Sequence, residues 1–151
     1  MIDGKNNPNI VPRQPELTET VENYLKRILW LSLEKGKVRV SDVAALMGRE
    51  KSSASETIKR LSSDGYVDYE KYGDITLTDK GKEIAESINH TYILFTRLLV
   101  KMGIPEEIAL TDACSMEHGI SEVTIDKVSN FLSFIYENEI VKSELTKYLR
   151  Q

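Results

Sequence analysis

Three side chains in the second half of this sequence carry its most versatile chemistry. Cys114, Glu117 and His118 fall at i, i+3 and i+4, so on a helix they project from one face. A thiolate, a carboxylate and an imidazole suit iron, zinc, cobalt or nickel better than manganese. The same spacing also describes a buried cysteine beside a surface Glu–His pair, and residue chemistry alone leaves both readings open. Cys114 and His118 could be written as nucleophile and base. No orienting group or oxyanion donor accompanies them, so the expectation is that this is not an enzyme. Cys114 is the one cysteine, which excludes an internal disulfide and a four-cysteine zinc site.

A second group of residues suits phosphate and base edges. Lys51, Ser52, Ser53, Ser55, Thr57, Lys59 and Arg60 crowd one short stretch. Hydroxyls near a helix start can bond phosphate, and the helix N-terminus itself attracts an anion. Lys59 and Arg60 can neutralise phosphate charge. Glu56, three residues after Ser53, has capping-box spacing; it is expected to cap rather than to accept from cytosine. Lys71 and Tyr72 lie at a hairpin tip, suited to a backbone or minor-groove contact.

The elements that must position these residues follow from periodicity and breakers. Residues 1–16 are polar and hold Pro8, Pro12 and Pro15, which reads as a flexible N-terminal arm. Thr18 is expected to cap a helix with Val21, Tyr24, Leu25, Ile28 and Leu31 inward, stopped by Gly36. Ser41 should cap a short helix ending near Gly48, and Ser52 or Ser53 should open the next, with Ala54, Ile58 and Leu61 inward. The period then switches to two. Residues 66–70 and 75–77 read as strands joined by a turn at Tyr72-Gly73-Asp74. Thr78 caps a long helix to about Met102. Further helices are expected from Pro105 to about His118, from Ser121 onward, and from about Glu139 to Leu149. Two short helices with a tight junction, followed by a hairpin, make a winged helix-turn-helix, which is usually a DNA reader. The fold expected is mostly α: a winged helix-turn-helix over 17–80, then an all-helical domain over 81–151.

Composition sets the outer bounds. The chain has 151 residues, 40% of them hydrophobic, so it can bury a core as one domain or two small ones. No apolar run nears the ~18 residues of a membrane span. No secretory h-region is visible, so a cytoplasmic chain is expected. The net charge is −4, and residues 83–138 hold three basic and nine acidic groups. An acidic second half is a poor surface to lay against phosphate. With so few basic groups one copy would bind weakly, which points to a homodimer on a palindromic operator in double-stranded DNA.

The stretches Val40-Ser41-Asp42-Val43-Ala44, Tyr69-Glu70-Lys71-Tyr72, Leu77-Thr78-Asp79-Lys80-Gly81-Lys82 and Cys114-Ser115-Met116-Glu117-His118 resemble the metal-dependent repressors of the diphtheria toxin repressor type, including the manganese transport regulators. The resemblance covers roughly residues 18–135. It implies control of metal-homeostasis genes, a divalent transition metal such as iron or manganese as cofactor, and a dimerisation domain that senses it. Cys114, Glu117 and His118 match the family's metal-binding run. The length is similar to that of the compact members, with no room for an SH3-like third domain. The resemblance also exposes departures. Asn23 and Lys26 stand where the family places ligands on the first helix, and Tyr92 stands where it places a histidine on the long helix. His90 lies about 200° round the helix from Tyr92 and cannot simply replace that ligand; Glu19, one turn before Asn23, is a weak substitute. A lysine placed near Glu117 would supply a fixed positive charge where the family uses a metal ion. The other readings carried forward are a regulator answering to a small organic ligand, with a pocket between Tyr92 and the helix carrying His118, and a protein-binding adapter. The dimer interface is expected from Ile125, Val128, Phe131, Leu132 and Tyr136, which could equally be intrachain core.

Overall fold

The computed structural model describes residues 17–71 and 73–150. The expected arm at 1–16, and Tyr72, lie outside the described residues. The element order is α1 (Glu19–Lys35), α2 (Val40–Met47), α3 (Lys51–Ser63), β1 (Val67–Tyr69), β2 (Ile75–Leu77), α4 (Asp79–Lys101), α5 (Glu106–Met116), α6 (Glu122–Glu137) and α7 (Glu139–Tyr148). Among the described residues no helix is long and apolar enough to cross a membrane. The chain divides inside α4 into two compact units, one ending at Asn89 and the other beginning at His90.

The first unit is a winged helix-turn-helix. Val21, Tyr24, Leu25, Ile28 and Leu31 of α1 join Val43 and Ala44 of α2, and Ala54, Ile58 and Leu61 of α3, in one apolar core. The Thr18 hydroxyl accepts the Val21 N–H at 3.4 Å, satisfying an otherwise orphaned donor of α1. Gly36 ends the helix at φ 76°, a left-handed conformation costly for residues with a Cβ. The wing pairs antiparallel, Val67 opposite Leu77 and Tyr69 opposite Ile75. The Ile75 N–H also donates to the Val38 carbonyl at 2.7 Å, which seats the wing on the α1–α2 connection.

Two helix starts differ from expectation. Ser41 lies inside α2, because Arg39 is the N-cap residue and the Asp42 carboxylate reaches back to its backbone N–H at 3.0 Å. Similarly, α3 opens at Lys51 after Glu50, so Ser53 lies within the helix and is not the capping partner of Glu56. The Arg39 N–H, and then Lys35 at 3.1 Å, hold the Asp42 carboxyl below the usual carboxylate range. A carboxyl depressed by folding adds stability above its unfolded value, and that stability is lost as pH falls through the folded value. Asp42→Asn is therefore expected to lower the melting temperature at neutral pH. The gap to wild type should close in acid below the ordinary value of 3.8. Thermal melts across that range check both; a gap that persists in strong acid would contradict it.

Thr78 joins the wing to α4. Its hydroxyl donates to the Gly65 carbonyl at 2.8 Å and accepts the Gly81 N–H at 3.1 Å, while its own N–H donates to the Tyr66 carbonyl at 3.1 Å. Gly81 is required by contact: a Cβ there would fall on the carbonyl oxygen of Tyr66.

In the second unit, Phe95 and Leu99 of α4 pack on Ala109 and Ala113 of α5. Leu94 packs with Ile125 and Leu132 of α6. The Ser121 hydroxyl accepts the Thr124 N–H at the start of α6. Ile125 and Leu132 are thus intrachain core, while Phe131 and Tyr136 are exposed.

Candidate nucleic-acid interface and sensor residues

The face of α3 opposite Ala54, Ile58 and Leu61 points outward. Lys51, Ser52, Ser53, Glu56, Lys59 and Arg60 are exposed; Ser55 and Thr57 are half-buried. The Thr57 hydroxyl donates to the Ser53 carbonyl at 3.2 Å, one turn back on its own helix. Lys51, Ser55 and Lys59 line a cleft of about 390 Å³, and Lys71 of the wing faces them across it. Ser52, Ser53, Thr57 and Arg60 lie outside this cleft.

Five further residues line the cleft, and of these Arg39, Ser41 and Tyr69 carry polar groups that sequence reasoning did not assign to DNA. Their signals were nonetheless present. In Val38-Arg39-Val40 the two valines are buried, so the arginine between them points out. Ser41 was read only as a cap, and Tyr69 only as a strand residue. With Arg39, Lys51, Lys59 and Lys71, the cleft presents four cations and no carboxylate among its lining residues. Such an arrangement concentrates positive potential where a phosphate backbone can enter.

In the second unit α5 ends at Met116, and Glu117 is its C-cap residue. Glu117 keeps helical backbone geometry, and its N–H donates to the Ala113 carbonyl at 2.9 Å, so the turn that carries Cys114 continues through it. Glu117 is wholly buried. One carboxylate oxygen lies 3.3 Å from His118 Nε2 and 3.8 Å from Cys114 Sγ. Tyr92 packs against the apolar cluster of Phe95, Leu99, Ala109 and Ala113, so its ring fills core space. His90 is exposed.

In the first unit α1 buries Lys26 completely and Glu22 nearly so. The Lys26 ammonium lies 5.0 Å from the centroid of the Trp30 ring, and the Trp30 indole N–H donates to Asn89 Oδ1 at 2.7 Å. Asn23 is half-buried and Glu19 exposed. Among the described residues no group of three or more His, Cys, Asp or Glu side chains stands ready to hold a metal ion. Glu22 lies in the first turn of α1, where a carboxylate also suits the positive helix end.

Comparison with known proteins adds the following. Residues 16–75 match the family model described as iron dependent repressor, N-terminal DNA binding domain. Residues 78–145 match iron dependent repressor, metal binding and dimerisation domain. The chain is 34% identical over 128 residues to the HTH-type transcriptional regulator MntR of Bacillus velezensis, covering 85% of this chain and 90% of that one. It is 33% identical, with the same coverage, to MntR of Bacillus subtilis. Among solved structures it is similar to a manganese-dependent transcriptional repressor in complex with manganese, at 30% identity and a TM-score of 0.68 over 76% of this chain and 53% of that one. IdeR of T. acidophilum is similar at 26% identity and a TM-score of 0.67, over 80% and 56%. The chain thus spans little more than half the length of these two solved chains.

Proposed function

We infer the function from one premise: this chain belongs to the iron-dependent repressor family. It is a DNA-binding transcriptional regulator of the metal-dependent repressor type, and a divalent metal is the cofactor of that family. Beyond that, we propose that the chain acts as a homodimer on a palindromic operator and controls metal-homeostasis genes. In this reading residues 17–80 read DNA and residues 81–151 pair the two copies. The sensor is atypical, with Asn23, Lys26 and Tyr92 at positions where the resemblance places ligands. Cys114, Glu117 and His118 remain its family-matched donors.

One observation carries the DNA reading. The start of α2, the outward face of α3 and the wing contribute Arg39, Lys51, Lys59 and Lys71 to a single cleft, with Asp74 of the wing turn 3.9 Å from Arg39 as its neighbouring carboxylate. Laid on a duplex, these side chains neutralise backbone phosphates and set register, while the rest of the α3 face lies against base edges. Two such readers held by a dimer match half-sites about one helical turn apart. The pairing surface proposed is the exposed apolar face that carries Phe131 and Phe134, one turn apart on α6.

The small-ligand reading gains little support. Tyr92 is half-buried, its ring packed against an apolar cluster. The cavity beside His90 and Arg97 holds about 150 Å³, below the ~300 Å³ at which ligand pockets usually begin.

Fluorescence anisotropy on labelled duplex DNA tests the proposal. Affinity should fall log-linearly with salt, and four cations in each of two protomers limit the slope to about seven. Binding that ignores salt would defeat the reading.

A further inference from the structure

We propose that this repressor carries its organising cation in its own chain: the Lys26 ammonium on α1 takes the charge role that a divalent ion has in the family, so DNA binding does not depend on metal supply. The proposal rests on the DNA-binding reading above and deepens its regulation. Four observations lead to it.

Asn23, Lys26 and Tyr92 stand at positions where the resemblance places ligands, although the second half matches a metal-binding family model. Lys26 is completely enclosed, which is rare for lysine. An ammonium has three donors and no lone pair, so it cannot ligate a metal, and it repels a dication that approaches. The surroundings are also built for a resident cation. Trp30 presents its ring 5.0 Å from the ammonium and 4.7 Å from the Arg27 guanidinium, and the negative ring face attracts positive charge, more strongly when water is excluded. That ring is fixed in turn by the bond from its N–H to Asn89. Glu22, one turn before Lys26 on the same face of α1, is buried as well. In the other unit, the buried carboxylate of Glu117 already has the imidazole of His118 at 3.3 Å and the thiol of Cys114 at 3.8 Å.

Burying charge costs stability relative to apolar packing, so a chain that keeps a buried lysine gains something other than stability from it. What it gains here is a fixed conformation. A metal ion leaves when its concentration falls; a side chain does not.

The test uses the full chain and three readouts. Duplexes recovered by the protein from a random-sequence pool serve as the DNA probe. Wild-type affinity should be the same within about twofold in excess EDTA and in added manganese(II) or, anaerobically, iron(II). Calorimetric titration with each ion, and metal analysis of natively purified protein, should find no stoichiometric uptake. Lys26→Met should lose about tenfold or more in DNA affinity with no rescue by either ion, while Lys26→Arg retains it. Stoichiometric metal uptake with chelator-sensitive DNA binding would overturn the proposal, as would Lys26→Met binding like wild type. If Lys26→Met fails to fold, Lys26→Arg and the metal readouts still decide. If no duplex is bound in either condition, the DNA-binding reading falls. The uptake measurement then judges the cation separately: tight uptake overturns it and none upholds it.

Discussion

Replacing Lys51 and Lys59 together by alanine will cost about a thousandfold in DNA affinity and leave the fold intact. Both side chains are exposed on α3 and line the same cleft. In the proposed dimer, with each lysine on one phosphate per half-site, the double variant removes four phosphate contacts. At roughly 1 kcal/mol each the loss is about 4 kcal/mol, or three decades. The salt slope supplies an independent measure, since each lost contact lowers it by about 0.9, giving a fall of about 3.6 for four. Thermal melts should barely move, because exposed substitutions away from special features stay within about 0.5 kcal/mol. Lys142→Ala is the control: this lysine is half-buried and lies on α7, 3.2 Å from Glu139. Equal loss in the control would mean that net charge, rather than the cleft, sets the affinity. An unchanged slope in the double variant would remove the cleft from the interface altogether.

Gly81→Ala will destabilise the protein, against the usual sign. In an ordinary helix interior this substitution stabilises by roughly 0.5–1 kcal/mol, because alanine loses less backbone entropy. Here the added methyl falls on the Tyr66 carbonyl oxygen. That carbonyl accepts the Thr78 N–H, and the neighbouring Gly65 carbonyl accepts the Thr78 hydroxyl, so backbone retreat breaks the α4 cap. Overpacking of this kind costs about 3 kcal/mol, which corresponds to a melting temperature roughly 10 °C lower. Urea unfolding with an unchanged m-value would show that the loss is one of stability and not of denatured-state compaction. A variant as stable as wild type would mean that the α4–wing junction opens more easily than its hydrogen bonds imply. The same variant should bind DNA less well, because Lys71 reaches the cleft from this wing.

Much of the fold was legible because its signals are local. Thr18, Ser121 and the Gly36 stop are short-range chemistry, and each sits where its type and spacing placed it. The inward residues of α1 and α3 followed from three- and four-residue spacing alone. Helix starts were less legible. Ser41 and Ser53 are good capping types, yet Asp42 reached back to Arg39 and α3 began at Lys51. Several capping-competent residues in a row leave the start to whichever one packing favours.

The candidate site divides along the same line. The outward cations of α3 were readable from helix periodicity. Arg39 was not assigned to them, because it reaches the cleft from the start of another helix, and only the folded chain places that start beside the wing. The cysteine–glutamate–histidine spacing identified side chains that do meet: Glu117 caps α5 in helical geometry, and His118 and Cys114 both lie beside its carboxylate.

Residue order by itself determined the sequence of elements, the winged helix-turn-helix and the family, because periodicity, caps and turn residues act over a few positions. The tertiary structure alone decided that four cations share one cleft and that Lys26 is enclosed without a gap. A sequence states that a lysine is present. Whether it ends in water or against an indole ring depends on side chains many residues away, and burial is a property of that packing.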